Sequence, residues 1–285
     1  MEINKITVIG AGTMGHGIAG QAALSGFHVV LNDVDDSRTH AGLAAIRKVW
    51  AQGVAKGKVA PEAVAAAETR LFATADLEQA VGDADLVIEA VPEIMELKRA
   101  IFGRAHRAAP AGALLASNTS SLSLTEIAGA TGRPAQVIGM HFFNPVAVMP
   151  LLELVRGEQT SETTVESARA VGACLGKETI VVQDSPGFAT SRLGIALGNE
   201  AMRMFEEGVA SAEDIDKAMT LGYRHPIGPL ALTDLVGLDV RLAITEHLFR
   251  ELGTDTFRAP RILKRLVRAG HLGRKTGRGF YTYPG

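Results

Sequence analysis

A single cysteine, Cys174, in 285 residues leaves no partner for an internal disulfide and no thiol cluster for a metal, so a reducing compartment and no metal site are expected. A surplus of one charge sign is missing too. The 31 acidic residues nearly cancel the 29 basic ones, and without a long block of either sign no nucleic-acid partner is expected. No apolar run approaches the roughly 18 residues of a membrane span. The N-terminus runs directly into a strand pattern and not into a basic-then-apolar leader, so the chain reads as cytoplasmic, with no membrane association.

What is plentiful is glycine, 31 residues in a chain that is 47% hydrophobic, which suits an α/β protein with many tight strand-to-helix turns. The length predicts about two domains, one large and one small. Short β-branched runs at 6–9, 29–31, 86–88 and 114–116 alternate with Ala-rich helical patterns, which predicts a mostly parallel, Rossmann-type sheet. Residues 37–68 form a helical insert: one long helix, a break at Lys56-Gly57-Lys58, and a second helix begun by Pro61. Further strands are expected at 137–140, 151–155 and 179–182, with a helix over 161–176. After Asp184-Ser185-Pro186-Gly187 the strand patterns stop, and 188–207, 212–219, 230–252 and 258–269 read as helices, with Ser211 and Asp214 as a capping pair. The expected organisation is therefore a nucleotide-binding domain over 1–184 and a smaller all-α domain over 185–285. The second carries more apolar positions than a small bundle needs, so it is expected to make a homodimer contact.

Two constellations carry chemistry. Gly10-Ala11-Gly12-Thr13-Met14-Gly15 follows a strand and opens a helix, the context in which such a loop holds a dinucleotide. Gly10 allows the tight turn, Gly12 lets the backbone approach the pyrophosphate, and Gly15 permits close helix-to-strand packing, while the helix N-terminus attracts phosphate. Asp33 ends the next strand, where a carboxylate accepts hydrogen bonds from the adenosine ribose and repels a 2′-phosphate, so NAD is expected over NADP. In the second constellation His141 ends the run 137–140, at the carboxyl end of a strand, where open α/β sheets place their ligands. A neutral imidazole there can take a hydroxyl proton and return it. If the chain turns back at Asn144-Pro145 and Pro150, Glu153, the one charge in Leu151-Leu152-Glu153-Leu154-Val155, comes near His141 and can hold one ring nitrogen.

These residues, with Ser117-Asn118-Thr119-Ser120-Ser121-Leu122, His141-Phe142-Phe143-Asn144-Pro145, Asp184-Ser185-Pro186-Gly187-Phe188 and Gly222-Tyr223-Arg224-His225-Pro226-Ile227-Gly228-Pro229, resemble the L-3-hydroxyacyl-CoA dehydrogenase family. Within it the chain is most similar to the single-function bacterial 3-hydroxybutyryl-CoA enzymes, and the resemblance runs almost to the C-terminus through Lys275-Thr276-Gly277-Arg278-Gly279-Phe280-Tyr281. It implies oxidation of a (S)-3-hydroxyacyl-CoA with NAD, with His141 as base, Glu153 its partner, and Ser120 and Asn144 hydrogen-bonding the reacting oxygen or positioning the nicotinamide. It also implies that Glu93, Lys98 and Lys275 line the cofactor. In the insert, Arg47, Lys48, Lys56 and Lys58 can meet coenzyme A phosphates, and Lys56 is the one that the resemblance favours. Ser191 stands where the family commonly has a substrate-side asparagine; its hydroxyl keeps one donor but loses the amide. Pro150 replaces a common lysine, with no functional change expected. A related hydroxy-acid or sugar-acid dehydrogenase acting on a free acid, and a catalytically silent NAD-binding relative, are the competing readings.

Overall fold

The computed structural model describes residues 3–284. Two compact units divide the chain, Met1–Ser185 and Pro186–Gly285.

The first unit begins with β1 (Lys5–Ile9), α1 (Thr13–Leu24) and β2 (His28–Asn32), followed by the insert helices α2 (Asp36–Ala55) and α3 (Pro61–Glu68). The chain continues through β3 (Leu71–Thr74), α4 (Leu77–Val81), β4 (Leu86–Glu89), α5 (Met95–Ala108), β5 (Leu114–Ser117) and α6 (Leu124–Ala128). It ends with β6 (Val137–Phe142), β7 (Leu151–Arg156), α7 (Glu162–Cys174) and β8 (Glu178–Gln183). The eight strands form one sheet in the order β3-β2-β1-β4-β5-β6-β7-β8. All neighbours are parallel except β6 and β7, so the last two strands run against the rest.

β1, β4 and β5 are covered on both faces, which is why they read as continuous apolar runs and not as alternating ones. Trp50 of α2 and Ile46 one turn earlier are buried in the core that holds Ile6, Val8 and Leu31, and this ties the insert to the sheet. Polar side chains set where helices start: Asp35, Asp76 and Ser161 each accept a backbone N–H in the first turn of α2, α4 and α7.

The second unit is helical: α8 (Thr190–Glu206), α9 (Ala212–Lys217), α10 (Pro229–Val236), α11 (Leu238–Leu252) and α12 (Arg261–Arg268). Ser211 caps α9 by accepting the Asp214 N–H at 3.1 Å, as its spacing predicts. Two buried carboxylates pin the C-terminal segment to this bundle. Asp216 accepts from the amides of Leu230 and Ala231 and from the Tyr281 hydroxyl, and Asp234 from the amides of Phe280 and Tyr281 and from the Tyr283 hydroxyl. Burial, and then the bond to Asp216, pushes the Tyr281 phenol well above its ordinary range.

Three expectations need correction. The crossover from β2 contains an additional edge strand and short helix, β3 and α4, in which the half-exposed Phe72 obscures the strand pattern. The single helix expected over 230–252 is two helices, because Gly237 between α10 and α11 adopts φ +103°, a left-handed-side conformation that a helix interior cannot hold. Arg258 lies before α12 and has extended backbone, following a single 3-10 turn at Asp255–Phe257.

Candidate active site

The glycine loop joins β1 to α1 as a tight cradle. Gly10 has φ +100°, and a Cβ there would lie 2.7 Å from the Ala90 carbonyl oxygen. A Cβ on Gly15 would sit 1.6 Å from the Gly10 carbonyl oxygen, so α1 approaches the strand only because residue 15 has no side chain. Gly12 differs: a Cβ there meets nothing within 4 Å, so the protein's own packing does not require glycine at that position. No side chain caps α1, whose first turn contains Thr13 and Met14, leaving its N-terminal dipole directed at the open space in front of Gly12. Asp33, just beyond β2, accepts the Ala11 N–H with one carboxylate oxygen and the Val34 N–H with the other, both at 2.7 Å. A bare helix N-terminus, an unfilled glycine position and an acid on the neighbouring strand fit the pyrophosphate and ribose of a dinucleotide.

His141 lies in β6 directly opposite Glu153 in the antiparallel ladder with β7. The imidazole Nδ1 is 2.9 Å from Glu153 Oε2. Glu153 is completely buried and His141 nearly so, so the carboxylate has given up its water and the ring N–H donates to it in a low-dielectric setting. The rings of His141 and Phe143 stand 4.5 Å apart, and Asn118 accepts the Phe142 N–H at 2.9 Å, tying the end of β6 to the segment that follows β5. Asn144 is exposed just beyond β6, at a cis peptide bond to Pro145.

Ser120 is held by a charged cluster beside this pair. Glu93 Oε1 accepts from the Thr119 hydroxyl at 2.6 Å, the Ser120 amide at 2.8 Å and the Ser121 amide at 3.2 Å, with the Ser120 hydroxyl also 3.2 Å away. Its other oxygen is 3.2 Å from Lys98 Nζ. Burial pushes the Glu93 carboxyl up, but Lys98, the Thr119 hydroxyl and the Ser120 amide outweigh it and hold it below the usual carboxylate range. Lys98 is only 1% exposed and donates to Glu89 Oε1 at 2.7 Å. Lys98, expected at the cofactor, thus has its ammonium buried against Glu89 and Glu93; any influence on a ligand passes through those carboxylates. Glu89 escaped the sequence reading, although the signal was the one that exposed Glu153: a lone acid in an apolar strand, Leu86-Val87-Ile88-Glu89. In register with it on β5, Ser117 donates to its Oε2 at 2.6 Å.

The remaining candidates are described each within its own unit. Lys56, at the C-terminal end of α2, is exposed, as are Lys48 and Lys58, whereas Arg47 makes a two-pronged bond to Glu68. Asp184 accepts from the Ser123 hydroxyl and the Thr125 amide, both at 2.8 Å, which anchors the end of β8 to the start of α6. In the second unit, Ser191 lies in the first turn of α8, and Lys275 reaches both carboxylate oxygens of Asp239 at 2.6 Å. Lys275 in turn holds the Asp239 carboxyl below its ordinary range.

Comparison with known proteins gives this arrangement its relatives. The family model for the 3-hydroxyacyl-CoA dehydrogenase NAD-binding domain matches residues 5–185, and that for the C-terminal domain of the same family matches 187–283. A 3-hydroxybutyryl-CoA dehydrogenase of Bradyrhizobium diazoefficiens is 46% identical over 283 residues, covering 99% of this chain and 96% of the relative. The human mitochondrial hydroxyacyl-coenzyme A dehydrogenase is 39% identical over 287 residues, 99% and 91% of the two chains. Among solved structures, the (S)-3-hydroxybutyryl-CoA dehydrogenase of Ralstonia eutropha superposes with a TM-score of 0.95 at 42% identity, over 100% of both chains. The glycine cradle, the Asp33 position and these matches over nearly the whole sequence lead to one conclusion: the chain belongs to the NAD-dependent 3-hydroxyacyl-CoA dehydrogenase family.

Proposed function

We propose that this enzyme interconverts (S)-3-hydroxybutyryl-CoA and acetoacetyl-CoA, with His141 as general base and Glu153 as its orienting partner. The observation that carries the reading is the buried 2.9 Å contact between His141 Nδ1 and Glu153 at the carboxyl end of β6. With Nδ1–H fixed by the carboxylate, Nε2 is the nitrogen that takes the 3-hydroxyl proton, and the same carboxylate stabilises the imidazolium that results. NAD, when bound, supplies the hydride acceptor. Gly10, Ala11, Gly12, Thr13, Met14 and Gly15 would hold its pyrophosphate and Asp33 its adenosine ribose, with Ser120 and Asn144 placed to hydrogen-bond the reacting oxygen or the nicotinamide. Glu93 keeps the Ser120 segment fixed before the substrate arrives, so that ordering it costs nothing during the reaction. Lys56 offers an exposed cation for coenzyme A phosphate. Ser191 and Lys275 would contribute to substrate and cofactor binding as their counterparts do in the resemblance. An exposed, unpaired Cys174 agrees with a reducing, cytoplasmic setting.

One steady-state comparison tests the substrate and cofactor together. NADH should be oxidised rapidly with acetoacetyl-CoA and at least a hundredfold less efficiently with free acetoacetate, since the thioester carries the coenzyme A binding energy into turnover. NADPH should be a poor substitute, because Asp33 meets a 2′-phosphate with like charge. Equal rates with the free acid would replace this reading by a hydroxy-acid dehydrogenase.

We further propose a homodimer formed through the helical unit. Leu193 of α8, Leu235 and Val236 of α10 and Val240 of α11 are all more than 40% exposed, more apolar surface than a lone bundle usually leaves in water. Light scattering at micromolar concentration should give twice the 30.0 kDa chain mass; a monomer there would overturn this assignment.

A further inference from the structure

The cluster around Lys98 contains more charge than its hydrogen bonds require. Three groups meet, two carboxylates and one ammonium, so the cluster carries a net charge of −1 when all are ionised. Glu89 and Lys98 are each 1% exposed, where water screens little. The contacts themselves need only oxygen acceptors. Glu93 accepts the Thr119 hydroxyl and the Ser120 and Ser121 amides with one oxygen, Oε1, and a neutral amide oxygen would accept the same N–H and O–H groups. Likewise Glu89 Oε1 accepts both Lys98 Nζ and the Val91 amide, a task that a glutamine oxygen could perform. The second oxygens are used as well, Glu89 Oε2 by the Ser117 hydroxyl and Glu93 Oε2 by Lys98, but one carboxylate suffices to neutralise the buried ammonium, and the other leaves the cluster with its net negative charge.

The sheet order places that charge. On the reading above, the pyrophosphate sits at 10–15 beside β1 and the adenosine ribose at Asp33, on the β2 side, so the nicotinamide end lies over β4 to β6. Glu89 ends β4, Glu93 follows it, and the Ser120 segment that Glu93 holds follows β5. Glu153, opposite His141, adds the same sign on that side. The oxidised nicotinamide ring carries a positive charge and the reduced ring carries none. We propose that the Glu89–Lys98–Glu93 cluster is a redox-state selector, whose surplus negative charge raises the affinity of the protein for the oxidised cofactor relative to the reduced one. The inference rests on the cofactor orientation just given. It assigns to Glu89 and Glu93 a purely electrostatic task in addition to positioning Ser120.

The test is direct titration of the intact protein with NAD⁺ and with NADH, no substrate present. Glu89→Gln and Glu93→Gln each remove one negative charge while keeping an acceptor oxygen. Each should raise the ratio Kd(NAD⁺)/Kd(NADH) on the order of tenfold, the size expected for one unit charge acting through a partly buried path. For a two-electron couple that is about 30 mV in the potential of the bound cofactor. Asp33→Asn removes a charge at the adenosine end and should weaken both forms equally, leaving the ratio unchanged. Thermal melts establish that each variant is folded, and Glu93, 36% exposed, provides the milder substitution if Glu89→Gln does not fold. If both glutamine variants shift the two affinities by the same factor, or shift neither, the cluster only positions Ser120 and the inference is overturned. A ratio that moves with Asp33→Asn and not with the glutamine variants would overturn the cofactor orientation instead.

Discussion

Replacing His141 by Gln should lower kcat by about 10²- to 10⁴-fold, the usual contribution of a positioned general base, with KM for the acyl-CoA and affinity for NAD little changed. The residual rate would come from proximity and orientation, which the substitution leaves in place. Glu153→Gln should also lower kcat with a nearly constant KM, but by less, because it removes a partner of the base and not the base itself. Only the protonated ring of the transition state draws the full benefit of the carboxylate. The two losses should not add. With Glu153 bonded to His141 Nδ1 and buried so completely, it has no independent route to the substrate, so the double variant should be about as slow as His141→Gln alone. Single-turnover measurement of all three variants decides this. Additive losses would assign Glu153 another task, and normal turnover in His141→Gln would remove the histidine from the chemistry.

The second large effect concerns stability, and it separates two glycines of one motif. Gly15→Ala forces a methyl group to 1.6 Å from the Gly10 carbonyl oxygen, a clash between backbone and backbone that no side-chain rotation relieves. Such overpacking belongs to the rare substitutions that cost more than about 4 kcal/mol, so the protein without cofactor should melt roughly 10 °C lower or fail to fold. Gly12→Ala meets only open space and should melt like the parent. Its methyl group would instead occupy the path by which the backbone reaches a pyrophosphate, and NAD affinity should fall at least a hundredfold. Thermal unfolding and NAD titration of both variants give the two readouts. Normal NAD binding by Gly12→Ala would mean that the loop does not cradle the cofactor.

How far the sequence alone reaches depends on whether a feature is local. The glycine loop, both insert helices and the strand ends at His141 and Asp33 were legible because period, turn residues and caps are written within a few positions. The pairing of His141 with Glu153 was legible for a different reason: an acid in an otherwise apolar strand requires a partner, and a turn rich in proline brings the two strands back together. Glu89 carried the same signal and went unread, since its partner Lys98 lies on a helix whose charges look solvent-facing from sequence alone. Only the fold reveals that Lys98 faces inward. β3 was hidden because a four-residue edge strand with an exposed Phe72 lacks a clear alternation, and the break at Gly237 because glycine in an apolar run specifies no conformation by itself.

The cross-strand pairing of His141 and Glu153 also constrains how this chain can change length. Side chains alternate between the two faces of a strand, so a slip of one residue between β6 and β7 would turn Glu153 to the opposite face of the sheet. An insertion or deletion in the connecting residues 143–150 is therefore harmless to the pair only if the extra or missing length is absorbed by the turn. Lys177 limits that freedom, because its ammonium donates to the carbonyl oxygens of both Val146 and Met149 and so grips the turn at two points. Burial pushes the Lys177 amine below its ordinary range, and the side chain is partly buried where it makes this grip. Among descendants of this sequence, that turn should vary in residue identity far more readily than in length.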